Sequence, residues 1–238
     1  MTESKPLPVA VVTGVGPGLG ASLARRFARD YAVVLIARRA DFLQSLAGEI
    51  RAAGGVALEV PGDIGERRDV EAAFETIRQR LGPPELLLYN AGSGAWGTIT
   101  EITPEQFEDS WRVNAFGAFV CAAECVRDML PRKQGVMLFT GATAGVKAGA
   151  KSVAFGPAKF AMRGLAQSLA RDLGPKGIHV AWINVDGAID VSGRRGSRVD
   201  EEGMLDPDAI AETYWHLAHQ HRSAWTMELE VRPFKEKF

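Results

Sequence analysis

The chain has 238 residues, 46% of them apolar and 24% charged, with a formal net charge of −1. This fits a soluble globular protein able to bury a full core, and the near-neutral balance gives no footprint for nucleic acid or a membrane surface. No run approaches the roughly 18 apolar residues of a membrane span. The opening MTESKPLP lacks a basic region followed by an apolar run, so no signal peptide is expected. Val9–Thr13 reads as a first strand and Leu19–Asp30 as a helix, from its spacing of Leu, Ala and Phe. Ala32–Ala37 is a continuous apolar run, as for a strand buried on both faces. Asp41–Ala53 follows as a helix, Val56–Val60 as a strand, and Glu66–Leu81 as an amphipathic helix closed by Gly82-Pro83-Pro84. Leu86–Tyr89 is the fourth strand. Thr103 caps a helix with Pro104 at its first position, running to Leu130 and stopped by Pro131. Val136–Thr140, a helix from about Ser152 to Leu173, His179–Val185, a helix from Asp206-Pro207 and a strand Trp225–Val231 complete the order. This alternation predicts an α/β fold of one domain, 1–238: a doubly wound parallel sheet of about seven strands with helices on both faces.

The chemistry begins in the first turn. Thr13-Gly14-Val15-Gly16-Pro17-Gly18-Leu19-Gly20 joins a strand to a helix. Glycines there let the backbone approach a pyrophosphate, and the helix N-terminus supplies free N–H groups and a positive dipole end. Gly14, Gly18 and Gly20 give one register, and Gly16, Gly18 and Ala21 another. Where an NAD site places an acid after the second strand, this chain has Arg38-Arg39. A guanidinium clamps a 2′-phosphate that an acid would repel, which points to NADP(H) rather than NAD.

Other residues carry a weaker signal. Cys121 and Cys125 lie four apart on a helix and read as packed thiols in a reduced, cytoplasmic setting, not as a disulfide or metal pair. His216, His219 and His221 lack partners at ligand spacing and read as a solvated face, so no metal is expected. Trp96 either lines a pocket or packs under its loop.

Taken together the motifs resemble the short-chain dehydrogenase/reductase family over nearly the whole chain. Thr13 to Gly20 match its glycine motif. Asp63, followed by Ile64, matches the aspartate beside adenine. Asn90-Ala91-Gly92 match the motif closing the fourth strand, and Asn114 matches the helix asparagine. Lys159 matches the lysine that holds the nicotinamide ribose. The resemblance implies a Rossmann-like fold, contacts from Gly187 and Ile189 to the carboxamide, and a substrate lid around 188–206 that includes Arg194, Arg195 and Arg198. It also implies a small-molecule substrate and a homodimer or homotetramer, with the last strand available for subunit contacts.

The departures are as specific as the matches. Lys159 fixes the family tyrosine position at Phe155, and the family serine falls on Ala142, flanked by Thr140 and Thr143. Asp186-Gly187 stands where the family has Pro-Gly. Phenylalanine has no proton to give, and general acid catalysis is worth roughly 10²–10⁴ in rate. Thr143, Ser152, Tyr214 or a water on Lys159 are the substitutes that the sequence offers, with Ser152 read first as a helix N-cap. Asn114, Lys159 and Thr143 are thus the candidate catalytic set. Three readings follow: an NADP(H) oxidoreductase acting on a carbonyl, alcohol or activated alkene with a nonstandard proton donor; a catalytically silent NADP(H)-binding sensor or partner subunit; and a homologue that no longer binds nucleotide. Retention of the glycine turn, Arg38, Asp63, Asn90 and Lys159 argues against the last.

Overall fold

The computed structural model describes residues 6–191 and 203–235. Seven strands form one sheet in the order β3-β2-β1-β4-β5-β6-β7, every neighbouring pair parallel. They are β1 (Val9–Thr13), β2 (Ala32–Ala37), β3 (Val56–Pro61), β4 (Pro84–Tyr89), β5 (Gly135–Thr140), β6 (Ile178–Val185) and β7 (Glu228–Val231). The helices are α1 (Leu19–Phe27), α2 (Ala40–Ala52), α3 (Arg67–Arg80), α4 (Pro104–Trp111), α5 (Gly117–Arg132), α6 (Phe155–Leu173) and α7 (Pro207–Ala218). The Rossmann-like α/β architecture expected from the sequence is present.

The inner strands are mostly apolar and buried without alternation because both faces are covered. One face carries a core of Val11, Phe74, Phe139 and Met162 under α3, α5 and α6. The other carries Val12, Phe27, Leu43 and Tyr214 under α1, α2 and α7. The order reverses between β1 and β4, and the crevice beyond the strand ends there is where open α/β sheets bind ligands.

Several boundaries differ from expectation. α1 ends at Phe27 rather than Asp30, and β7 starts at Glu228 rather than Trp225. Pro131 does not stop its helix: it sits inside α5, which runs one residue further and closes on Lys133 in the left-handed region (φ 50°). The helix expected from Thr103 to Leu130 is interrupted by a π-helical turn, Arg112–Phe116. α6 begins at Phe155 with Ala154 at its N-cap, so Ser152 is not the cap. The Ser152 hydroxyl instead donates to the Gly149 carbonyl (2.8 Å), within the preceding turn. Thr103 does cap α4: its hydroxyl accepts from the Gln106 amide (3.3 Å), and the Gln106 side chain accepts from the Thr103 amide (3.0 Å).

Candidate active site

The glycine turn is built by close approach to β4. Gly14 has φ +67°, and a Cβ there would stand 2.5 Å from the Ala91 Cα. A Cβ on Gly20 would stand 2.6 Å from the Gly14 carbonyl oxygen. Gly16 meets no such neighbour, so packing alone leaves its outer side open. The Thr13 hydroxyl accepts from the amides of Asn90 (3.2 Å) and Ala91 (3.3 Å). Asn90 Nδ2 donates to the Gly14 carbonyl (3.1 Å), and Asn90 Oδ1 accepts from Thr140 (3.3 Å), which in turn accepts from Tyr214 (2.8 Å). The turn is thus fixed from three strands at once. α1 opens on Gly18 with no side-chain cap and no acid in its first turn, which leaves its positive end to an anion.

Beside the turn lies a cleft of about 210 Å³, lined by Gly14, Arg38, Arg39, Asp63, Ile64 and Ala91 among others. Arg38 reaches Asp63 at 3.9 Å and remains 73% exposed, held at the cleft mouth without being consumed by the carboxylate. Arg39 lies over the ring of Phe42 (5.4 Å). Asp63 Oδ1 accepts from the Gly65 amide (2.9 Å), which fixes its carboxylate.

Asn114 and Lys159 converge over Gly92. The π turn carries Asn114, whose Nδ2 donates to the carbonyls of Ser93 (2.5 Å) and Ser110 (2.8 Å). Its Oδ1 is buried and finds no partner among the described residues. Lys159 Nζ donates to the Thr140 carbonyl (3.0 Å). A Cβ on Gly92 would lie 3.4 Å from Lys159 Nζ and 3.5 Å from Asn114 Oδ1, so both atoms flank one spot beside Gly92. Burial pulls the Lys159 ammonium down from its ordinary 10.5 to about 7.

Phe155 packs against Gly94 and Trp96, with ring centroids 5.3 Å apart from the latter, and Lys159 Nζ lies 5.5 Å from its ring centre. Trp96 is 66% exposed, so it borders the site rather than packing beneath the loop. Tyr214 is fully buried on the far side of Thr140, and burial raises its phenol well above the ordinary value; it is not an alternative proton donor. His219 stacks on Trp215 (4.2 Å) and bonds Tyr31 (3.2 Å), away from this site.

One cluster is not foreseen from the sequence. Asp186 ends β6, 3% exposed, and accepts from the Thr143 hydroxyl and from Arg232 (2.5 Å). β7 brings Arg232 there through the pairing of Val185 with Val231. Its only sequence signal is the unusual Asp186-Gly187 dipeptide. Gly187 has φ +148° and lies against Pro233. Past it, Ile189 bridges Leu205, closing the base of the 188–206 segment; Arg194, Arg195 and Arg198 lie outside the described residues.

The family model for short chain dehydrogenases matches residues 8–201. The chain belongs to the short-chain dehydrogenase family. The chain is 34% identical over 176 residues to the short-chain dehydrogenase/reductase eriH of Hericium erinaceus, covering 71% of this chain and 70% of that one. It is 35% identical to a short-chain dehydrogenase from Rhodopseudomonas palustris of known crystal structure, with a TM-score of 0.85 over 97% of this chain and 100% of the other. A metagenomic short-chain oxidoreductase solved in complex with NADP is 27% identical, with a TM-score of 0.84 over 97% and 99% of the two chains. An alcohol dehydrogenase from Thermococcus sibiricus, complexed with 5-hydroxy-NADP, is 25% identical, with a TM-score of 0.87 over 97% and 98%. No helix among the described residues is long and apolar enough to cross a membrane.

Proposed function

We propose that the chain is an NADP(H)-dependent oxidoreductase. It moves a hydride between the nicotinamide and a carbonyl/alcohol pair or an activated alkene, without the family's tyrosine as proton donor. The observation that carries this reading is the convergence of Asn114 Oδ1 and Lys159 Nζ over Gly92: an unpartnered buried acceptor beside a buried amine suits polar hydroxyls such as those of a ribose. The cofactor fits the rest of the site. The uncapped start of α1 and the open side of Gly16 suit a diphosphate, and Arg38 suits a 2′-phosphate. The NADP complexes of the metagenomic oxidoreductase and the Thermococcus enzyme support the same cofactor. When bound, the nicotinamide supplies or accepts the hydride. Lys159 and Asn114 would hold the ribose edge, and Gly187 and Ile189 would border the carboxamide end.

We read residues 1–238 as one domain with 188–206 as its substrate lid. Exposed Phe107, Phe119 and Phe160 on α4, α5 and α6 favour a homodimer or homotetramer. A second reading, a silent NADP(H)-binding sensor or partner subunit, is favoured by Phe155 and Ala142, which together remove two hydrogen-bond donors. Calorimetric titration tests the cofactor: NADPH should bind more tightly than NADH, and Arg38→Asp should reverse the order. Equal or NADH-favoured binding by the parent chain would refute the assignment. Turnover of any carbonyl or alkene with NADPH separates the oxidoreductase from the silent binder.

A further inference from the structure

A ketone and an iminium cation ask opposite things of a reductase. Hydride addition to a ketone leaves an alkoxide, which must be met by a donor and given a proton. Hydride addition to an iminium forms the C–H bond while the C=N π pair settles on nitrogen as a lone pair. NADPH is oxidised to NADP+, the product is a neutral amine, and no proton is drawn from the protein. The first substrate needs hydrogen-bond donors around its reacting oxygen. The second needs acceptors and surfaces that tolerate positive charge.

This site has been changed toward the second set of needs at three positions. Phe155 and Ala142 take away the phenol and the hydroxyl that the family resemblance leads one to expect. Asp186 adds a buried carboxylate where that resemblance has proline; Arg232 balances its charge at 2.5 Å, and its other oxygen holds the Thr143 hydroxyl. Among the described residues, the hydroxyls of Thr140, Ser152, Tyr214 and Thr143 are already engaged as donors. Thr140 gives its proton to Asn90, Ser152 to Gly149 and Tyr214 to Thr140. Thr143 gives its proton to Asp186, so its oxygen is left with lone pairs and can only accept. Ser93, exposed, lines the same cleft as Arg38 and Asp63. The paired rings of Phe155 and Trp96 add an aromatic border, of the kind that attracts cations. Lys159 is the opposing charge, and its burial weakens its hold on the proton.

We infer that the site reduces iminium cations, such as protonated cyclic imines, in preference to ketones, with Thr143, oriented by Asp186, accepting from the substrate N–H. The inference rests on the hydride-transfer reading above and narrows its substrate class.

Dihydroisoquinolinium and tetralone form a matched pair of similar shape, and NADPH is the reductant for both. The expected kcat/KM, corrected for the uncatalysed reaction, is at least about 100-fold higher for the iminium, since the ketone alone needs the missing acid. A binding measurement stands beside it. Calorimetry should show the protein–NADP complex taking tetrahydroisoquinolinium about tenfold more tightly than neutral tetralol, and Thr143→Val should erase most of that preference. Tetralone reduced as fast as the iminium, or tetralol bound as tightly as the ammonium, overturns the inference and leaves the oxidoreductase reading standing. If NADPH raises the melting temperature but neither compound is reduced, both fall and the silent binder replaces them.

Discussion

Phe155 occupies the first position of α6, one helical turn before Lys159, with its ring against Trp96 and the Lys159 ammonium. A tyrosine there would place its hydroxyl on the same aromatic frame, near a cation that favours the phenolate. Phe155→Tyr is therefore expected to raise kcat on simple ketones and diketones with NADPH toward the roughly 10²–10⁴ that a general acid supplies. Ala142→Ser should add to it by donating to the developing oxyanion. Steady-state kinetics of the single and double variants check this, and an unchanged or slower ketone rate would mean that another group already serves as the acid. The residues legible in the sequence are those fixed by short spacing: Thr13 to Gly20, Asn90 to Gly92, and Phe155 with Lys159. The Asp186–Thr143–Arg232 cluster is not, because its members come from three separate strand ends and only pairing in the sheet brings them together.

Among the elements, the interrupted α4–α5 rod shows where periodicity fails as a guide. Residues 104–130 read as one helix because a π turn shifts the register by a single residue and leaves the apolar pattern almost unchanged. Yet that turn holds Asn114 with its amide donating to Ser93 and its oxygen left over. Gly117, directly after the turn, packs against the Ile64 carbonyl and the Tyr89 hydroxyl, an approach no side chain would allow. The start of the rod is legible, since Thr103-Pro104 and Gln106 are a local signal that needs no tertiary context. Thr103→Ala should cost about 1 kcal/mol, read as a melting temperature lower by roughly 2–4 °C. No loss of stability would mean that the capping box adds nothing to a helix already held by its neighbours. Ser152 fails as a cap for the opposite reason: the chain turns once more before α6 begins, and its hydroxyl is used in that turn.

For the whole molecule, the parallel sheet and the two-faced core follow from apolar runs and strand–helix alternation, so that much of the architecture is legible in the residues alone; the strand order is seen only in the folded sheet. The energetic consequence of enclosing a lysine is not legible there either. The folded-state value of Lys159 is about 7, against 10.5 for an exposed amine. Below pH 7 both folded and unfolded chains hold the proton, and the full penalty of burying the ammonium is present. As pH rises past 7 only the unfolded chain keeps it, so cofactor-free protein should gain stability, by up to about 1.4 kcal/mol per pH unit from this group. The gain should be read below about pH 8.5, where unfolded cysteine begins to ionise while buried Cys121 and Cys125 are held protonated, an effect of opposite sign. Denaturant melts across this window test it, and Lys159→Met should flatten the slope; a parent chain whose stability is level from pH 7 to about 8 would contradict the shift.

Cys121 and Cys125 also give the fold an internal clock. Both thiols face the core from α5, fully enclosed, and burial pushes each one up, away from the reactive thiolate. A small alkylating reagent can meet them only after α5 has lifted from β4 and α3. Labelling in native buffer, followed by mass spectrometry, therefore times that opening event without any denaturant. The two thiols should react together, at one rate that falls when NADPH is added. Separate rates, or a rate indifferent to the nucleotide, would mean that α5 opens on its own, independently of the cofactor crevice.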